Sequence, residues 1–100
     1  MSVEFRIRDR NEFYDFLRRR GFKLFWRRDE VHARKWFQDP EHGEVCVHVI
    51  IRRRGERKAT LHLDVEASPT LNLHRTLRDR KRVERVLRWL ASEIPEIEPS

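Results

Sequence analysis

The chain has one hundred residues, a net charge of +6 and a pI near 10.4, with 40% charged and 38% apolar residues. That length implies one domain, large enough to bury a core without disulfide or metal staples. The single cysteine excludes an internal disulfide and fits a reducing, cytoplasmic compartment, and no apolar run exceeds three residues, as in Val49-Ile50-Ile51, far too short to cross a bilayer.

In chain order, Val3, Phe5 and Ile7 alternate with Glu4, Arg6 and Arg8, the pattern of a half-buried strand. No apolar leader segment is read in these first residues. Asp9-Arg10-Asn11-Glu12 forms a capping box, and Phe13, Phe16 and Leu17 share one helical face. Gly21 sits where a left-handed cap is wanted, so the first helix is expected over about 10–20. Residues 22–28 and 31–37 read as strands, either one long strand bent at Arg28-Asp29-Glu30 or a hairpin. Asp39-Pro40-Glu41-His42-Gly43 is a turn. Strands follow at 44–53 and 58–65, separated by Arg54-Gly55-Glu56. A loop begins at Ser68-Pro69-Thr70 and extends to Asn72–Thr76. A last helix is expected from about Thr76 to Glu93, stopped by Pro95, with its apolar stripe at Val83, Val86, Leu87, Leu90 and Ile94.

The order is β-α-β-β-β-β-α. It predicts an α+β two-layer sandwich: an antiparallel or mixed sheet of four or five strands with both helices on one face. Residues 1–94 form the domain and 95–100 a frayed tail.

Strand parity fixes a register. Val45, Val47, Val49 and Ile51 share a side, as do Ala59, Leu61, Leu63 and Val65. Both sets face the helices only if Ile51 lies opposite Ala59 and Val49 opposite Leu61, because a one-residue slip turns a whole set outward. That pairing leaves a three-residue loop, 54–56. The outer face then carries Cys46 beside Asp64, His48 beside His62 and Ile50 beside Thr60. Pairing Phe37 with Val45 adds Trp36 beside Cys46, Arg34 beside His48 and His32 beside Ile50. Lys35 falls on the inner side.

Nineteen of the 23 cations are arginines, and seven of the 23 lie between Arg75 and Arg88 against two carboxylates. Arginine presents a planar fork of donors that matches phosphate and stacks on bases. Nucleic acid is therefore the expected partner, RNA slightly ahead of DNA. Arg75, Arg78, Arg82 and Arg85 on the last helix and Arg52, Arg53, Arg54, Arg57 and Lys58 on the hairpin would take phosphates, while Arg34 and Trp36 would stack bases. The arginine excess also has a bland source, a thermophile surface laced with ion pairs.

The outer face allows other chemistry. His32, His48 and His62 with Arg34 could move a ribose 2′-hydroxyl proton and hold the developing charge. Five histidines in a hundred are equally ordinary surface residues, so no catalytic residue is firmly assigned. Cys46, His48, His62 and Asp64 are all zinc-ligand types. Parallel side chains on a flat sheet converge poorly on a tetrahedral centre, so neither a metal nor another cofactor is expected. An uncovered sheet face can also join two copies into a homodimer, with the arginines free to meet an acidic protein partner.

Finally, a helix ending in Arg20-Gly21-Phe22, Leu24 two residues on, His32 near the start of the next strand, and a Pro/Gly turn leading into alternating valines carry a resemblance. Residues Asn11 to Val49 resemble HicA-type toxins, small basic proteins of α-β-β-β-α, double-stranded-RNA-binding-like fold. The resemblance implies an mRNA-cleaving activity with His32 as its catalytic residue. The chain departs from the family in Asp29-Glu30-Val31, where a glycine-serine is expected, in an extra first strand, and in a longer, more basic last helix. The basic motif that opens the last helix of the wider double-stranded-RNA-binding fold is echoed only by Arg78 to Arg82.

Overall fold

A computed structural model describes residues 1–68, 73–94 and 97–98. Its elements are β1 (Ser2–Ile7), α1 (Arg10–Arg19), β2 (Lys23–Trp26), β3 (Glu30–Asp39), β4 (Gly43–Arg52), β5 (Lys58–Ser68), β6 (Leu73–Thr76), α2 (Arg80–Glu93) and β7 (Ile97–Glu98). The protein is the expected α+β sandwich, and every strand pairing is antiparallel. The sheet runs β2-β3-β4-β5-β1-β7, with β6 also on β5. One edge of β5 is shared: its first half pairs with β1 and its second with β6.

The parity argument holds across the centre of the sheet. Val49 pairs with Leu61 and Ile51 with Ala59, while Phe37 pairs with Val45 and Trp36 with Cys46. Alternation therefore puts the valines and leucines of β4 and β5 under the helices. Phe13 and Leu17 of α1 and Val83 and Leu90 of α2 join them in one core. Ile7, Phe13, Leu17, Leu61, Leu90 and Ile94 are fully buried. Both helices lie on this side, so no described element covers the other face of the sheet.

Both helices start on an aspartate. Asp9 Oδ1 accepts from Glu12 N at 3.0 Å, and Asp79 Oδ1 from Arg82 N at 3.1 Å. Each satisfies one of the unpaired amides of a helix N-terminus. At the end of α1, Gly21 has φ +87°, Gly21 N donates to Arg18 O and Phe22 N to Leu17 O. This double closure needs a left-handed residue, which glycine adopts without a Cβ penalty. Lys35, inward as expected, donates to Arg20 O and so also serves this helix end. Arg20 and Glu93 pair between the last turns of the two helices.

The structure corrects several boundaries. Residues 22–37 are not one bent strand: Arg27 and Glu30 exchange backbone hydrogen bonds at 2.9 and 3.3 Å, closing a hairpin between β2 and β3. The β4–β5 connection spans residues 53–57 rather than 54–56, since β4 ends at Arg52 and β5 begins at Lys58. There the Arg53 amide donates to Asp29 O at 2.9 Å, which extends the β3–β4 register one residue beyond Glu30 and Arg52. The last helix starts four residues later than expected, because residues 73–76 extend the sheet as β6 and Asp79 supplies the cap. Residues 97–98 are not a frayed end; Ile97 pairs with Ile7 and is buried. The loop expected at 69–72 and the stop at Pro95 lie outside the described residues.

Candidate nucleic-acid interface and its histidine cluster

Three rows of side chains cross the outer face. His32, Ile50 and Thr60 form one; Arg34, His48 and His62 the next; Trp36, Cys46, Asp64 and Thr76 the third. Apart from Thr76, which was expected at the start of the last helix, these are the neighbours that parity predicts. Two further residues escaped the sequence reading. Phe25 of β2 lies opposite His32, and the His74 ring meets Trp36 edge-on at 5.2 Å. Alternation was present in both short segments, but only the observed hairpin and the β5–β6 pairing assign them a side.

Phe25 and Trp36 are 48% and 42% exposed, large values for aromatic side chains. The Arg34 guanidinium lies 5.8 Å from the Phe25 centroid, a cation over a ring face. Its Nε is buried and has no hydrogen-bond partner among the described residues. At the end of β3 nearest the β2–β3 turn, Arg27, Arg28, Arg52 and Arg54 line a cleft with Asp29 and Glu30. The cleft adjoins the outer face through Glu30 and Arg52, which pair in the row next to His32 and Ile50.

The arginines expected to bind phosphate do not form one group. Arg53 donates to Arg27 O and Arg28 O at 3.1 and 3.0 Å, and Arg57 to Arg8 O at 2.7 Å. Both tie loops together. Arg10 does the same, with donors on Arg52 O, Gly55 O and Glu56 O. Lys58 pairs with Glu4 and Glu56 at 3.3 and 2.9 Å. Arg82 pairs with Asp39 and Glu41 at 3.4 and 3.0 Å, which fastens α2 to the β3–β4 turn. His42 joins this network 3.3 Å from Asp79. Arg75 lies on β6 and Arg78 precedes the helix, so neither continues a helical stripe with Arg85. The exposed cations that do share a face of α2 are Lys81, Arg85 and Arg88, at spacings of four and three.

Within the platform the imidazoles touch. His32 Nδ1 is 2.8 Å from His48 Nε2, and His32 Nε2 is 3.3 Å from Glu30 Oε1. Asp64 Oδ2 lies 3.4 Å from His48 Nδ1 and 3.2 Å from His62 Nε2. Thr76 Oγ1 donates to Asp64 Oδ1 at 3.3 Å. His48 is the centre of the set and is only 5% exposed. Burial lowers its pKa to about 4, helped by His62, Arg34 and His32 and opposed by Asp64. It is therefore neutral at pH 7. Cys46, the fourth sequence candidate for a metal, does not join this group: its Sγ is buried and directed at Val47 O, 3.9 Å away. Burial, then Asp64, raises its thiol pKa, so it is an unreactive core cysteine. The expected poor convergence on a flat sheet does not hold for His48, His62 and Asp64, whose ligand atoms all lie within 4.8 Å of one another.

No protein-family model, no curated protein and no solved structure matches the chain.

Proposed function

We propose that the protein binds single-stranded nucleic acid, RNA ahead of DNA, on the uncovered face of its sheet. The observation that carries this reading is the pairing of exposed Phe25 and Trp36 with Arg34 on one face, beside the Arg27–Arg28–Arg52–Arg54 cleft. Bases stack on the rings while the arginines follow the phosphates, an arrangement that tolerates any sequence because every base has a π-face. His32 and His62, half-buried on the same face, add hydrogen-bonding groups for a 2′-hydroxyl, which favours RNA. Trp36→Ala removes one stacking partner worth roughly 1–3 kcal/mol, so affinity for a short RNA strand falls by about 5- to 150-fold. Fluorescence anisotropy reads the change, and a variant that binds as the parent does would exclude the sheet face as the site.

A second reading is favoured by one contact. With His48 Nε2 as the acceptor, His32 Nδ1–H donates to it at 2.8 Å and His32 Nε2, on the same face, keeps the lone pair that takes a ribose proton, the tautomer opposite to the one a cation on His48 would impose. This is the role that the resemblance to HicA-type toxins implies for His32, and it makes the protein an endoribonuclease. On that reading the parent cleaves an RNA oligomer but not its 2′-deoxy counterpart, and His32→Ala abolishes cleavage while still binding. Cleavage that survives His32→Ala contradicts it.

A further inference from the structure

We propose that His48, His62 and Asp64 bind one divalent cation of the zinc class on the outer face of the sheet. The proposal does not depend on nucleic-acid binding. Two of the three ligand-to-ligand distances, 3.4 Å from His48 Nδ1 and 3.2 Å from His62 Nε2 to Asp64 Oδ2, are close to what such an ion requires. Bonds of about 2.0–2.2 Å at tetrahedral angles separate ligand atoms by about 3.3–3.6 Å. The side chains need little movement to close on a metal.

The hydrogen-bond arithmetic points to the same place. His48 Nδ1 is buried and has no hydrogen-bond partner among the described residues. If the proton sits on Nε2, a buried lone pair on Nδ1 faces a carboxylate oxygen. If it sits on Nδ1, the N–H meets that oxygen without hydrogen-bond geometry. Each tautomer leaves a buried polar atom poorly satisfied, which is unfavourable. A cation on Nδ1 resolves both. His48 Nε2–H then donates to His32 Nδ1 at 2.8 Å, and His32 Nε2–H to Glu30 Oε1 at 3.3 Å. Metal-bound imidazoles ordinarily have an outer partner of this kind, which fixes the tautomer and the ring plane. Thr76 does the same for Asp64 by donating to its other oxygen. The three ligands and their supports come from β3, β4, β5 and β6, so the sheet itself holds the site rigid.

Two imidazoles and one carboxylate form a borderline nitrogen–oxygen set, suited to Zn²⁺ rather than to the all-oxygen shells of Mg²⁺ or Ca²⁺. Three protein ligands leave a fourth position to solvent, the pattern of a reactive rather than a structural zinc. Arg34, whose charge already acts on His48, lies in the same row. With the metal's own charge it makes the open position select for an anion. The Glu41–His42–Asp79 group is not an equivalent candidate, since its Asp79 caps α2 and its Glu41 pairs with Arg82.

Chelator-stripped protein titrated with Co²⁺ tests the site. The expected result is a 1:1 complex with the visible absorption of tetrahedral cobalt, bleached on adding Zn²⁺. His62→Ala and Asp64→Asn, both on the half-buried outer face, should retain the parental circular dichroism and lose Zn²⁺ affinity by more than about 100-fold, beyond the 10- to 100-fold expected for the outer-shell variant His32→Ala. His42→Ala should bind as the parent does. Absence of a 1:1 complex, binding that survives His62→Ala and Asp64→Asn in folded protein, or binding lost in His42→Ala would each overturn the proposal.

Discussion

Phe13→Ala is expected to destabilise the protein by about 3–5 kcal/mol, the range for emptying an aromatic site in a packed core. Phe13 is fully buried, on the face of α1 that meets the sheet, and its ring packs edge-on against Phe5 at 6.1 Å and 77°. The cavity would open between the helix and β1, leaving Tyr14 and Leu17 as the buried anchors of α1. Domains of this length have about 5–15 kcal/mol in total, and each kcal/mol moves the melting temperature by about 4–8 °C. Thermal unfolding followed by circular dichroism should therefore shift down by at least about 12 °C. A shift under about 5 °C would mean that α1 does not seal the core as described.

The second large effect is a loss of stability in mild acid, centred on His48. In the folded protein its imidazole stays neutral down to about pH 4, because it is buried and faces His32 and Arg34 from β3 and His62 from β5, against the single opposing charge of Asp64. In the unfolded chain the same group takes a proton near pH 6.5. Between those values the unfolded state binds the extra proton, so lowering the pH favours unfolding. The contribution is intact above pH 6.5, shrinks as pH falls, and is gone below about pH 4. Its full size is on the order of 3 kcal/mol, with about 2 kcal/mol already lost at pH 5. Urea unfolding in chelator-containing buffer at pH 7.5 and pH 5 should show this loss in the parent, and His48→Gln should show less of it. NMR titration of the imidazoles checks the cause independently: His48 should remain neutral at pH 5, and a midpoint near 6.5 would contradict the account.

The centre of the molecule was legible because a sheet with one buried face leaves parity no freedom. Once Val45 to Ile51 and Ala59 to Val65 must both face the helices, the pairing of His48 with His62 and of Cys46 with Asp64 follows. The peripheral strands were harder for a physical reason. Residues 73–76 are too short to carry a periodic signal, and Asp79 has no acidic partner three residues on, so the start of α2 lacked its second marker. Long-range use of arginine left no local trace at all. Arg10 reaches Gly55 O, Arg53 reaches Arg28 O and Arg82 reaches Glu41, contacts that depend on how the hairpins fold over one another. A guanidinium that closes a loop and one that waits for a phosphate look alike in sequence. The structure separates them: Arg10, Arg53, Arg57 and Arg82 hold the fold together, whereas Arg27, Arg28, Arg52 and Arg54 line an open cleft. The histidine cluster is an intermediate case. Parity put its members on one face, but the turn of the rings that brings His32 diagonally onto His48 comes from side-chain angles that no spacing encodes.

The measurement closest to the central claim is anisotropy of labelled single- and double-stranded RNA and DNA across a salt series. The account predicts that single-stranded RNA binds tightest, that affinity falls steeply as salt rises, with a logarithmic slope of about −0.7 per phosphate contacted, and that Trp36→Ala weakens binding while barely changing that slope. Flat, weak signals for all four ligands at low salt would contradict it and turn the cleft arginines toward an acidic protein surface instead.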